Sequence, residues 1–252
     1  MLKAESSLLC FSTSSSTGLI ASVRQVARGV QFCSSSIRVP GQLYADDLEL
    51  SAECEFDLQV ALDAVARWGW QWRFSFGIGP TKSAVVVFGP RRSVPPCSVQ
   101  LGGDPLPTVM GYLYLGVILT PTLSWAAHAR HLVTRGNRLF AQCVAWCKTE
   151  GLSLRFASTL FTSYVLPSIS WGSEFFISSP PALRVIDSAL RRWGKFLLGW
   201  PSGSLVGAVL LELGWPDALH LSTGRLLSQL DVHTPCLPMA PVLSPHSCSR
   251  NH

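Results

Sequence analysis

Gln42-Leu43-Tyr44-Ala45-Asp46-Asp47-Leu48-Glu49-Leu50 sets an acidic pair between alternating apolar residues, with Val39 and Leu43 before it and Leu48 and Leu50 after it. A period of two on both flanks predicts strand, tight turn, strand, with the two carboxylates at the tip. Adjacent like charges repel, and a turn in water needs neither of them. A divalent cation removes the conflict, because Asp carboxylates are hard oxygen ligands of the kind Mg²⁺ takes together with substrate phosphates. A solvated Asp-Asp turn is the plain alternative, and the dipeptide alone does not separate the two.

Just upstream, residues 29–39 hold Gly29-Val30, a Ser-rich turn and a strand leading into Pro40-Gly41. Downstream, Phe56, Val60, Leu62, Val65, Ala66 and Trp68 form a helical stripe over Glu55–Trp68, with Asp57, Gln59, Asp63 and Arg67 outside it and Gly69 as its end. Trp70, Trp72, Phe74 and Phe76 then alternate with polar residues, which predicts a strand buried on one face. After a turn at Gly77–Thr81, the run Ala84-Val85-Val86-Val87-Phe88 predicts a β-branched return strand. Gly89–Pro107 carries five prolines and is expected to be a loop, and Tyr112–Leu119 a hairpin bent at Gly116.

Beyond Trp125 the periodicity becomes helical. Over Ala126–Lys148, Leu132, Gly136, Leu139, Phe140, Cys143 and Cys147 share one face, while His131, Arg135 and Arg138 share another. A second helix over Leu154–Leu166 is expected to stop at Pro167. A third opens at Pro180-Pro181 and buries Leu183, Ile186, Leu190, Trp193 and Leu197. Shorter helices are predicted at Leu205–Leu213 and Asp217–Leu230. The expected fold class is α+β: a small antiparallel sheet with a helix over residues 29–120, then a mostly helical region over 121–232. Residues 1–28 are expected to be a poorly ordered leader with a short helix at Ile20–Ala27. Residues 233–252, proline-rich and without periodicity, are expected to be a disordered tail.

At 48% apolar and 14% charged residues the chain is globular rather than disordered. Its apolar runs are too short for a transmembrane helix, and its Ser-rich start lacks a secretory core, so an intracellular protein without a membrane partner is expected. The eight cysteines show no disulfide or zinc spacing. Cys143 and Cys147, with His128 and His131 upstream, could line a metal, but cysteines on an apolar helix face are read as core. Charge is unevenly spread: Asp46 to Asp63 holds seven acids and no base, whereas Ala64 to Gly199 holds fourteen Lys and Arg against four acids. That suits a metal site beside a polyanion track, with ordinary solvated helix faces as the alternative.

Four landmarks occur in order: Tyr44-Ala45-Asp46-Asp47; Pro80-Thr81-Lys82-Ser83; Tyr114-Leu115-Gly116-Val117 leading to Leu123-Ser124-Trp125 and His128; and Tyr164-Val165-Leu166-Pro167 before Trp171-Gly172-Ser173-Glu174. Over residues 29–230 this set resembles the reverse transcriptase of non-LTR (LINE-type) retrotransposons, in the C-terminal part of its palm plus the thumb. The resemblance implies an RNA-directed DNA polymerase using two Mg²⁺ ions about 3.5–4 Å apart, with an RNA template and a DNA primer as partners. It implies that Asp46 and Asp47 bind the metal and are catalytic, and that Lys82 is a general acid near the nucleotide phosphates. Tyr44 would lie at the primer end, and Tyr114, Leu115 and Gly116 would form the primer grip. His131, Arg135 and Arg138 would hold the nucleic-acid backbone. A solvated turn lysine remains the alternative for Lys82, and plain packing for Tyr114 and Leu115.

Other family features are missing. The palm of that family needs a further Asp on a strand upstream of the acidic hairpin, but only Glu5 precedes Asp46. The fingers and an Arg-Gln-Gly segment are absent, and Gly79 stands where Asn is frequent. An N-terminally truncated polymerase part is therefore expected, inactive or nearly so alone, with a missing fingers and palm half as its possible partner; a non-catalytic primer–template or RNA-binding remnant and a non-functional translated fragment are the alternatives.

Overall fold

A four-residue antiparallel ladder lies at the centre of the first half of the molecule. The structure is a computed structural model that describes residues 2–3, 13–31, 36–45, 47–89, 97–201, 203 and 206–233. The chain opens with β1 (Leu2–Lys3) and α1 (Thr13–Val26), followed by the paired strands β2 (Val30–Gln31) and β3 (Arg38–Val39). The hairpin of β4 (Gly41–Tyr44) and β5 (Asp47–Leu50) pairs Leu43 with Leu48 and Tyr44 with Asp47. β1 joins the far edge of β5, giving the order β1-β5-β4. Side chains alternate along a strand, so Leu48 and Leu50 share the buried face and Asp47 and Glu49 share the opposite one.

α2 (Glu55–Gln71) contributes Ala61, Leu62, Val65 and Trp68 to the same core as Leu48 and Leu50. Cys54 caps its start, the sulfur accepting the Asp57 N–H at 3.5 Å, and Glu55 and Asp57 suit the positive end of the helix dipole. Leu19 and Val23 of α1 are buried in this core too. α1 begins seven residues before the short helix predicted at Ile20, because packing its apolar side on α2 outweighs the poor helix propensity of Ser and Thr.

Two of the predicted strands are not regular strands. Trp70 lies inside α2, which runs past Gly69 to Gln71, and only Phe76 of the alternating aromatics makes a bridge-type contact. Gly69 marks a close approach rather than a helix end. Its carbonyl accepts the Phe74 N–H at 2.7 Å, and a Cβ there would stand 2.9 Å from the Phe74 oxygen. The run Ala84–Phe88 makes a single parallel bridge from Val85 to Thr108. Val85 bonds to Pro107 O and Val109, and Pro107 has no N–H with which to lengthen the ladder.

The expected loop Gly89–Pro107 contains a small hairpin, β6 (Gln100–Leu101) with β7 (Asp104–Pro105). Gln59 of α2 holds it by both backbone groups of Gln100, at 2.9 and 3.0 Å. β8 (Tyr112–Tyr114) and β9 (Val117–Leu119) form the predicted hairpin, with Leu115 and Gly116 at its tip.

The rest is helical. α3 (Trp125–Thr149) is followed by α4 (Leu154–Leu160), a π-helical turn (Phe161–Val165) and α5 (Leu166–Ile169). Pro167 does not stop this helix as predicted. Its ring would clash with a regular α-turn, and the wider π-turn, in which Leu166 N–H reaches back to Phe161 O, absorbs the misfit. A 3₁₀ turn (Ser173–Ser178) leads to α6 (Pro180–Leu198), α7 (Val206–Leu213) and α8 (Ala218–His233). Phe140, Phe161, Ile169, Leu190, Trp193 and Trp215 lie at the heart of a second core. The architecture is thus mixed, with helices and small antiparallel sheets. Among the described residues no helix is long and apolar enough to cross a membrane, and residues 234–252 of the expected tail lie outside the described part.

Gly136 is where α3 meets α6: a Cβ there would stand 2.6 Å from the Trp193 ring and 2.7 Å from Ile169. Gly136→Ala is expected to destabilise the chain by about 1–3 kcal/mol through overpacking, read as a lower urea midpoint with an unchanged slope.

Candidate functional site

The two hairpin tips share a backbone feature. Ala45 has φ 53 and Leu115 φ 47, both in the left-handed region that side chains with a Cβ rarely adopt, and Gly116 follows at φ 80. Such residues cost about 1–3 kcal/mol each and persist where surrounding structure holds them. Tyr44 and Asp47 close the first tip, Tyr44 exposed and Asp47 half-buried. Asp46, the other expected metal ligand, lies outside the described residues.

The second hairpin lies close to the acids of the first. Burial raises the Tyr112 phenol, and the Asp47 charge raises it further. Burial raises Tyr114 as well, followed by the charges of Glu49 and Asp47. The Tyr112 hydroxyl donates to Lys82 O at 2.8 Å and so ties the lysine turn to this hairpin. Within that turn the N–H groups of Lys82 and Ser83 both reach Gly79 O at 3.0 Å. Gly79 sits at φ 149, a conformation suited to glycine. The Asp47 carboxylate, the Tyr114 phenol and the backbone of Lys82, far apart in sequence, thus lie in one region.

The described carboxylates do not by themselves complete a metal cage. Glu49, on the same face as Asp47, accepts the Ser51 hydroxyl. Among the described residues no group of three or more His, Cys, Asp or Glu could hold an ion. Asp47 and Glu49 alone do not fit a two-metal centre. Cys143 is buried in the helical core, where burial pushes its thiol up, as befits packing rather than ligation.

On α3, His131, Arg135 and Arg138 are all exposed. Asn137 Oδ1 accepts both Trp193 Nε1 and Arg192 Nη2 at 3.0 Å, which places a base of α6 beside this row. The hairpin is joined to the helices by two side chains without an expected role. Trp171 Nε1 donates to Leu115 O at 2.9 Å, and Gly116 gives it room, since a Cβ there would stand 2.9 Å from that nitrogen. His128, fully buried, bonds Trp171 O through Nε2 at 3.0 Å and accepts the Ile118 N–H at Nδ1 at 3.4 Å. The signals for these were their places among the sequence landmarks, and for Tyr112 its two-residue spacing from Tyr114.

No family model, no curated protein and no solved structure matches the chain.

Burial lowers the His128 pKa below the ordinary imidazole value, partly opposed by the Trp171 carbonyl; His131 lowers it and Glu174 raises it. The unfolded chain therefore binds the proton more readily. Stability is complete above the unfolded value of about 6.5 and is lost as pH falls through the folded one. Urea titrations at pH 7.5 and 5.5 are expected to show a drop that is smaller in His128→Gln.

Proposed function

We infer that the chain is the palm-and-thumb part of an RNA-directed DNA polymerase of a non-LTR retrotransposon, and that its own activity is to grip primer–template duplex. The observation that carries this is the gathering of Asp47, Tyr114 and Lys82 at one hairpin pair, tied through Trp171 and His128 to the helix that displays His131, Arg135 and Arg138. Exposed cations on a rigid helix hold phosphates by charge and do not read bases. Tyr44 would lie at the primer end and Gly116 in the primer grip. Magnesium would be held by Asp47 with Asp46 and a further carboxylate supplied, with the fingers, from a longer form of the chain or from another chain.

Two assays on the full chain test this. Duplex binding is expected to weaken steeply with salt, and Arg135→Ala with Arg138→Ala to lower the log–log salt slope by about 2. Binding indifferent to salt and to both changes overturns the reading. Primer extension on an RNA template with Mg²⁺ is expected to give no product; product that disappears in the Asp46→Ala, Asp47→Ala double variant would make the chain a complete polymerase.

A further inference from the structure

Asn137 stands where α3 meets α6, and its amide can face only one way. Its Oδ1 accepts Trp193 Nε1–H and Arg192 Nη2–H, both at 3.0 Å. Each partner only donates, so the oxygen faces α6 and the NH₂ group points away from it. Trp193 is a fixed anchor: it is buried, its ring stacks on Phe140, and Gly136 lets it approach α3 closely. A buried indole N–H needs an acceptor, and Asn137 supplies it from the surface. The same oxygen then holds the exposed guanidinium of Arg192, a side chain with many rotamers when nothing restrains it.

The surroundings are basic. α3 carries no acid between Trp125 and Thr149. Arg130 and Asn137, at i and i+7, share one face of it, beside the face of His131, Arg135 and Arg138. Among the described residues no carboxylate pairs with Arg192, whereas its neighbour Arg191 has Asp187 at 3.9 Å. The Asn137 NH₂ likewise has no acceptor among the described residues. The other N–H groups of Arg192 and that NH₂ are thus donors held side by side on an acid-free surface.

We propose that Arg192 and the Asn137 amide form a phosphate-binding fork that takes one phosphodiester of the nucleic-acid backbone, with the buried Trp193 indole fixing the amide. The fork rests on the duplex-gripping reading above and adds a second helix to the grip. A phosphodiester offers acceptor oxygens only, so it fits a site built of donors. Arg192 supplies the charge, and the neutral amide supplies position.

The test is duplex binding by the full chain, followed by fluorescence anisotropy over a range of chloride concentrations. Arg192→Ala is expected to lower the log–log salt slope by about 1. Arg184→Ala removes the same charge from another exposed position of α6 and is expected to leave the slope unchanged. Asn137→Asp keeps an oxygen for both N–H groups but puts a second oxygen where the NH₂ stood; it is expected to weaken binding at least as much as Arg192→Ala. Arg192→Lys keeps the charge and loses the fork, so the slope is expected to stay while binding weakens at every salt concentration. An unchanged slope in Arg192→Ala, an equal loss in Arg184→Ala, or unmutated affinity in Asn137→Asp or Arg192→Lys overturns the proposal. A chain whose binding ignores salt and the Arg135→Ala, Arg138→Ala pair fails the duplex reading itself. A chain that responds to both but not to Arg192→Ala fails the fork alone.

Discussion

Each residue of β5 belongs to one face of the sheet, and that parity places both carbon and charge. Leu48 and Leu50 go under the strand into the core that α2 and α1 share, while Asp47 and Glu49 stay on the opposite face. A slip of one residue would drive two carboxylates toward Leu62 and Val65, at a cost of several kcal/mol per buried ion. The register is therefore strongly specified. Much else follows from it: Trp68 completes the floor, and the phenols of Tyr112 and Tyr114 feel the acids left on the open face.

The second hairpin has no such floor of its own. Leu113 is exposed, Leu115 is held in a left-handed conformation, and among the described residues β8 pairs only with β9. What fixes it are hydrogen bonds to side chains from elsewhere. Tyr112 anchors one end on the Lys82 turn, Trp171 reaches the tip, and His128 takes the Ile118 N–H. Tyr112 and His128 join buried polar groups to backbone partners, so losing one leaves the other unsatisfied and costs more than the bond itself contributes, whereas the Trp171 bond is exposed. His128 satisfies both ring nitrogens only as the neutral form that donates from Nε2; the Trp171 carbonyl also favours the charged ring, and burial outweighs it.

The acidic hairpin, the amphipathic helix after it and the long basic helix were legible because each depends on local periodicity. Leu43, Leu48 and Leu50 alternate, and Leu132, Gly136, Leu139 and Phe140 fall on one helical face. Prediction failed where a tertiary contact overruled a local rule. Gly69 looks like a helix stop, but its missing side chain serves the approach of Phe74. Pro167 looks like a stop, but a π-turn lets the helix pass. The valine run at 84–88 has strand composition and lacks a regular partner, which no local pattern reveals. In the candidate site, motifs singled out Asp47, Lys82 and Tyr114; spacing from Tyr114 pointed to Tyr112 and a landmark to Trp171, but neither tells which distant backbone group each one bonds.

The two cores close differently, and this bears on what each half can do. The helical core is sealed by aromatic stacking, Phe161 on Trp215 at 3.6 Å between ring centres and Phe140 on Trp193 at 5.8 Å. Packing of that kind fixes α3 without outside help, so the exposed row of His131, Arg135 and Arg138 stands on a rigid support. Gripping a polyanion needs no more than cations in fixed places. The sheet core is covered by α1 and α2 but remains open along the cleft at Leu50 and Val86. Nucleotidyl transfer asks more of that half than binding asks of the other, since several carboxylates must converge within a few ångströms of the reacting phosphate. On the polymerase reading proposed above, the described half would offer Asp47 and a Glu49 turned to Ser51, so the chemistry would be limited by donors while the grip would not.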